Sequence, residues 1–160
     1  MNASAFPIEG GCACRAVRYR METAPIIVHA CHCRWCQRET GSAFVLNAVI
    51  ERSRVNLLQG GVEAVPVPSE SGRGQKIVRC AQCRIALWSH YPGGGEEIAF
   101  VRAGTLDNPD AVPPDLHIYT ESKQPWLVLP DGARVFAQFY DAKVEWPAAS
   151  LQRWRAAKSG

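Results

Sequence analysis

No run of apolar residues in this chain approaches the ~18 in succession that a membrane-spanning helix needs, so no membrane partner is expected. Residues 1–9 have neither a basic start nor an apolar stretch, so no secretory leader is expected and a cytoplasmic location is. Nothing repeats at a fixed period, which excludes a solenoid or propeller. No linker divides the 160 residues, and their 47% hydrophobic and 21% charged content is ordinary for a globular protein, so one domain is expected over 1–160. Gly93-Gly94-Gly95 lacks the spacing and following lysine of a phosphate loop and reads only as a turn. Basic residues do not cluster with aromatics, which argues against a nucleic-acid partner. The formal charge of +3 does not restore one, because it counts cysteines as neutral; with all seven as thiolates around two divalent ions the net charge falls to zero.

Those seven cysteines are what the chain has in abundance. Their odd number and a reducing compartment argue against a disulfide framework. Incidental core thiols would scatter, whereas these fall into three tight groups: Cys12-x-Cys14, Cys31-x-Cys33-x-x-Cys36 and Cys80-x-x-Cys83. In extended backbone, residues two apart point the same way, so Cys31 and Cys33 can aim at one point while a tight turn brings Cys36 round. That leaves the two distant pairs, Cys12/Cys14 and Cys80/Cys83, to form a second site. Four thiolates at about 2.3 Å complete a tetrahedral zinc ion and close it; three leave a position for water or substrate. The four-cysteine set therefore reads as structural and the three-cysteine set as open, with two zinc ions in all.

Alternation of apolar Val17, Tyr19 and Met21 with Arg18 and Arg20 indicates a half-buried strand. Further strands are expected at 26–30, 43–50, 55–58, 62–67, 75–79, 85–88, 97–103 and 116–119, with Pro66 and Pro68 confining 62–67 to a sheet edge. Gly10-Gly11 reads as a turn around a metal, and 37–42 as a loop or single helical turn. One helix is expected, from Pro147 to Lys158, with Leu151 and Trp154 on its buried face and Arg153, Arg155 and Lys158 in solvent. The expected class is thus mainly β: a single zinc-stapled domain of short antiparallel strands, β-tent-like, with a C-terminal helix.

Three thiolates on divalent zinc leave a net charge of −1, which makes a weak Lewis acid suited to holding an incoming thiol as thiolate. Beside a small carbonyl compound, such a centre is a setting for carbon–sulfur bond formation. A histidine could instead complete the set and make it structural; His29, His90 and His117 stay open as candidates, while His32, between two ligands, would point away. In that case the chain would be a non-catalytic, zinc-stabilised binding module. Arg34, Arg38 and Lys123 can bind carboxylates of a peptide thiol or simply be solvated. Trp35 can wall a pocket or sit in the core, Gly41 and Ser42 can offer backbone N–H groups to an anion, and Trp88 and Trp126 read as packing residues.

Taken in order, the motifs resemble a known family. Gly10-Gly11-Cys12-Ala13-Cys14 with Val17-Arg18-Tyr19, then residues 31–44 from Cys31 to Phe44, then Cys80-Ala81-Gln82-Cys83, then His117-Ile118-Tyr119-Thr120 and Ser122-Lys123-Gln124-Pro125-Trp126, are similar to the glutathione-dependent formaldehyde-activating enzymes and the wider group that includes centromere protein V. The resemblance runs from about residue 8 to 141. It implies a structural zinc on Cys12, Cys14, Cys80 and Cys83 and a catalytic one on Cys31, Cys33 and Cys36. It also implies addition of glutathione to formaldehyde, giving S-hydroxymethylglutathione, classed in reverse as a carbon–sulfur lyase. Arg15 and Arg84 stand where a glycine usually follows the ligand pair, so either the backbone is strained there or the turn differs.

Overall fold

A computed structural model describes residues 5–159; residues 1–4 of the expected leaderless start and residue 160 lie outside it. The alternation noted above becomes β2 (Arg18–Met21), whose Tyr19 and Met21 are buried while its arginines reach outward. It is the middle strand of a three-stranded antiparallel sheet, between β1 (Ile8–Gly11) and β5 (Val55–Gln59). β1 corrects the reading of Gly10-Gly11 as a turn. A Cβ at Gly10 would stand 2.6 Å from the Thr105 carbonyl oxygen and 2.8 Å from the Tyr19 ring, so glycine is needed there for close approach, not for a special backbone angle.

The remaining strands are β3 (Ile27–Cys31), β4 (Val45–Glu51), β6 (Val62–Val67), β7 (Gln75–Cys80), β8 (Ala86–His90), β9 (Ile98–Arg102) and β10 (Leu116–Ile118). They form one seven-stranded sheet in the order β10-β3-β4-β9-β8-β7-β6. As its prolines require, β6 is an edge strand. The expectation of antiparallel pairing holds except at the other edge, where β10 runs parallel to β3 after a connection through residues 103–115.

Period-two alternation splits this sheet into two buried faces. Val28, Ala48, Ile50, Ala99 and Val101 turn toward Tyr19, Met21 and Val55 of the smaller sheet and form the first core, with Tyr19 edge-on to Trp88 at 5.9 Å. Ile27, Cys31, Val45, Val49, Ile98, Leu116 and Ile118 line the opposite face. That face is covered by the C-terminal segment, which includes the short helix α2 (Ala142–Glu145) and the helix α3 (Ala148–Lys158), preceded by Pro147. Leu151 and Trp154 pack on it as expected, and Trp154 meets Trp146 edge-on at 5.2 Å. Among the described residues no helix is long and apolar enough to cross a membrane.

Arg155 and Lys158 are exposed, but Arg153 is not the solvent residue expected of it. Its Nε and Nη2 donate to Glu51 at 2.8 and 2.6 Å, and its Nη1 donates to the Ala24 carbonyl at 2.9 Å, tying α3 to the end of β4. Burial pushes the Glu51 carboxyl up, but the hydrogen bonds from Arg153 and the backbone, with the charges of Arg153 and Arg54, together outweigh it and leave it below the usual carboxylate range. A lowered acid stabilises the fold above its unfolded value and loses that contribution as pH falls through the folded one. Arg153→Ala should therefore cost about 2 kcal/mol at pH 7. Denaturant titrations should show the gap from wild type closing as pH drops below 4.5; a gap that ignores pH would contradict this pairing.

Candidate metal centres

Two hairpin turns build the four-cysteine cluster. Cys12 and Cys80 each end a buried stretch, and their backbone N–H groups donate across the turn to the Val17 and Ile85 carbonyls at 3.2 and 3.0 Å. The reversal needs a left-handed residue in each turn, and Arg15 and Arg84 supply it, both at φ 63°. The backbone thus keeps the turn a glycine would make, at the strain a side chain pays there, about 1–2 kcal/mol. Cys12 and Cys14 sulfurs lie 3.4 Å apart, and those of Cys14 and Cys80 3.8 Å. A tetrahedral thiolate site with metal–sulfur bonds of about 2.3 Å has sulfur–sulfur edges of about 3.8 Å, so the four thiols fit a metal ion closely. All four sulfurs fall within 4.8 Å of one another.

The three-cysteine cluster forms where β3 ends. Cys31 is its last residue, Cys33 caps the next helix, and Cys36 sits in that helix's first turn. This helix, α1 (Arg34–Thr40), is longer than the loop or single turn expected. The Cys33 sulfur accepts the Cys36 N–H at 3.3 Å to start it, and Gly41, left-handed at φ 63°, stops it. All three cysteines are buried, with sulfurs within 4.8 Å of one another.

No histidine completes this set among the described residues. His29 Nε2 bonds the Tyr140 hydroxyl at 2.6 Å, and His90 Nδ1 meets the Ile98 carbonyl at 2.8 Å. His32 turns away, as its position between two ligands requires, and its Nε2 lies 3.0 Å from His117 Nδ1. Gln37, quoted in the motif without a role, has one: its Nε2 donates to the His32 and Ser122 carbonyls at 2.6 and 2.9 Å, and Gln124 donates to its Oε1 at 2.8 Å. The 120–124 segment of the motif is therefore the clasp that holds the claw's backbone.

Charge in this cluster is lopsided without a cation. Hydrogen bonds from the Cys31 and Cys36 thiols bring Cys33 down to about 3. Cys33 and Cys36 in turn push Cys31 far up; for Cys36 the contact with Cys31 pulls down, but Cys33 and burial raise it to about 12. A second and third thiolate need positive charge nearby, which a divalent metal supplies and which fits this soft donor set. One positive group is already present. Arg102, 5% exposed, donates to Asn47 Oδ1 and, at 2.8 Å, to Ser89 Oγ. No carboxylate pairs with it among the described residues, its Nε has no acceptor, and its charge lowers the Cys36 thiol.

A cavity of about 370 Å³ opens over Cys31, Cys33 and Cys36. Trp35 lines it, half-buried, with its indole N–H lacking an acceptor. Arg38, Gly41 and Ser42 are exposed and border a different hollow, shared with Arg34, Gln124 and Trp126. Lys123 Nζ donates to the Gln124 and Leu127 carbonyls, the latter at 2.5 Å. Trp88 is buried as expected of a packing residue, but Trp126 is 69% exposed and packs little. Asn47, Tyr119 and Phe139 also line the cavity, a place the sequence did not assign to them. Tyr119 does so at φ 55°, a left-handed angle that no local residue type announces.

A Halomonas elongata protein named "Putative glutathione-dependent formaldehyde-activating enzyme" is 26% identical, the match covering 88% of this chain and 94% of that protein. A crystal structure of a Rhodobacter sphaeroides protein is 20% identical, with a TM-score of 0.48, over 62% of this chain and 88% of that one. Residues 7–122, which carry all seven cysteines, match the family described as glutathione-dependent formaldehyde-activating enzyme, and the chain belongs to that family.

Proposed function

We propose that the chain binds two zinc ions and, at Cys31, Cys33 and Cys36, joins a thiol such as glutathione to formaldehyde or a related small aldehyde, or runs the reverse carbon–sulfur cleavage. The observation that carries this reading is the buried trio at the floor of a cavity, with every histidine of the chain bonded elsewhere. Zinc there would hold an incoming thiol as thiolate at neutral pH. In the reaction sulfur bonds to the carbonyl carbon, the carbonyl π pair moves to oxygen, and the proton given up by the thiol ends on that oxygen.

The protein's part is position and exclusion. Gln37 and Ser122 fix the backbone between the first two cysteines, since both donate to the His32 carbonyl. Trp35 forms one wall and keeps bulk water from the reacting carbon. Cys12, Cys14, Cys80 and Cys83 have no free position and hold the fold. All seven cysteines are free, which suits the reducing cytoplasm.

Thiols add to formaldehyde unaided, so the test must subtract that background. Exchange of labelled formaldehyde with its glutathione adduct, followed by NMR, should be faster with wild type than without protein, and Cys33→Ser should return it to the uncatalysed rate. Equal rates with and without wild type would reject the activity.

A further inference from the structure

The cavity over the three cysteines differs in character from what a peptide thiol asks for. Glutathione carries two carboxylates and an ammonium group, and a site built for it needs donors and acceptors converging on them. Here the walls are rings: Trp35, Tyr91, Phe100, Tyr119, Phe139 and Trp154. Two of the polar groups deeper in are engaged by the protein itself, while the Trp35 indole N–H has no acceptor. Asn47 Oδ1 accepts from Arg102, and His29 Nε2 meets the Tyr140 hydroxyl. Charged side chains on the lining are Glu70 and Arg73 alone, both exposed on the turn between β6 and β7 at the mouth.

Much of the aromatic wall comes from the C-terminal segment. Phe139, Trp146 and Trp154 lie beyond residue 122, where the family match ends. They are held in place by one another and by the sheet. Phe139 stacks on Tyr140 at 4.8 Å and meets His29 edge-on at 6.0 Å, while Tyr91 meets Phe100 at 4.7 Å across the cavity's other side. Rings ordered before binding cost a guest little entropy and offer flat faces to stack on.

We infer that the thiol preferred at this site has an aromatic body and at most one carboxylate, which Arg73 meets at the mouth, rather than the two carboxylates and ammonium of glutathione. The inference rests on the proposed thiol-binding role of the three cysteines and sharpens its substrate class. It assigns the segment 139–154 to selectivity.

Cobalt(II) in place of zinc reports thiol binding directly, through a sulfur-to-cobalt charge-transfer absorption. The full cobalt-loaded chain would be titrated with phenylmethanethiol, 2-mercaptoethanol and glutathione. Phenylmethanethiol should half-saturate the signal at a concentration about tenfold below either of the others. Phe139→Ala, at a position 54% exposed, should cut that ratio severalfold by weakening phenylmethanethiol more than glutathione, with an unchanged circular-dichroism melt showing that the fold is kept. Glutathione binding as tightly as phenylmethanethiol, or 2-mercaptoethanol matching it, would overturn the aromatic preference and leave the thiol site standing. A cobalt spectrum that no thiol alters would instead overturn the proposed function, because the fourth position would then be closed.

Discussion

Cys80→Ser is expected to cost the protein its stable fold, not just one ligand. Cys80 is fully buried at the end of β7, and its sulfur lies 3.8 Å from that of Cys14, 66 residues earlier. The cluster thereby fastens the turn after β1 in the small sheet to the turn after β7 in the large one. A metal gripping four thiolates contributes roughly 10–16 kcal/mol in small zinc domains, against the ~5–15 kcal/mol by which whole domains are stable. Losing even ~5 kcal/mol should lower the melting temperature of a chain this size by about 10–20 °C. Circular-dichroism melts with metal analysis on the same samples would check it: one metal fewer and an early or absent transition is the expected pair of results. A variant that melts within a degree or two of wild type would show that the cluster is ornamental to folding. Chelator added to wild type should reproduce the variant's behaviour, since it removes the same link.

How much of this could be read without coordinates depends on how local the cause is. The grouping of the cysteines into sets of three and four was legible because Cys31, Cys33 and Cys36 are near neighbours, which left the two remaining pairs only each other. Alternation found β2, and the proline pair placed β6 at an edge, because each depends on one strand's own residues. The failures share the opposite feature. β1 went unseen because Gly10 answers to the Tyr19 ring across the strand pair and to Thr105, far away in sequence. α1 was shortened because its start depends on a cysteine acting as a cap, which composition does not suggest. Arg153 looked like surface because the carboxylate that claims it, Glu51, lies about a hundred positions away. Arg15 and Arg84 were the two residues where a pattern departed from its family, and there the backbone kept the left-handed angle and absorbed the side chain.

Arg102→Met is the second change expected to have a large effect, and it separates two explanations of a buried cation. An ionised group taken out of water costs several kcal/mol unless something of opposite charge repays it. Arg102 is buried and pairs with Asn47 and Ser89, neither of them charged. Cross-strand register explains its aim: His29 lies opposite Asn47, and Asn47 opposite Arg102, so all three project from the cysteine-bearing face of the sheet. Three thiolates around a divalent ion would carry a net charge of −1, and the guanidinium would make the buried whole neutral. Methionine keeps the bulk and removes the charge, so metal at the three-cysteine site should bind about a hundredfold more weakly, a loss of roughly 3 kcal/mol. Chelator competition should then show one tightly held metal ion instead of two, with Arg102→Lys recovering part of the loss. If both metals stay equally tight in Arg102→Met, the guanidinium serves only to order Asn47 and Ser89, and the anionic centre must find its compensation elsewhere.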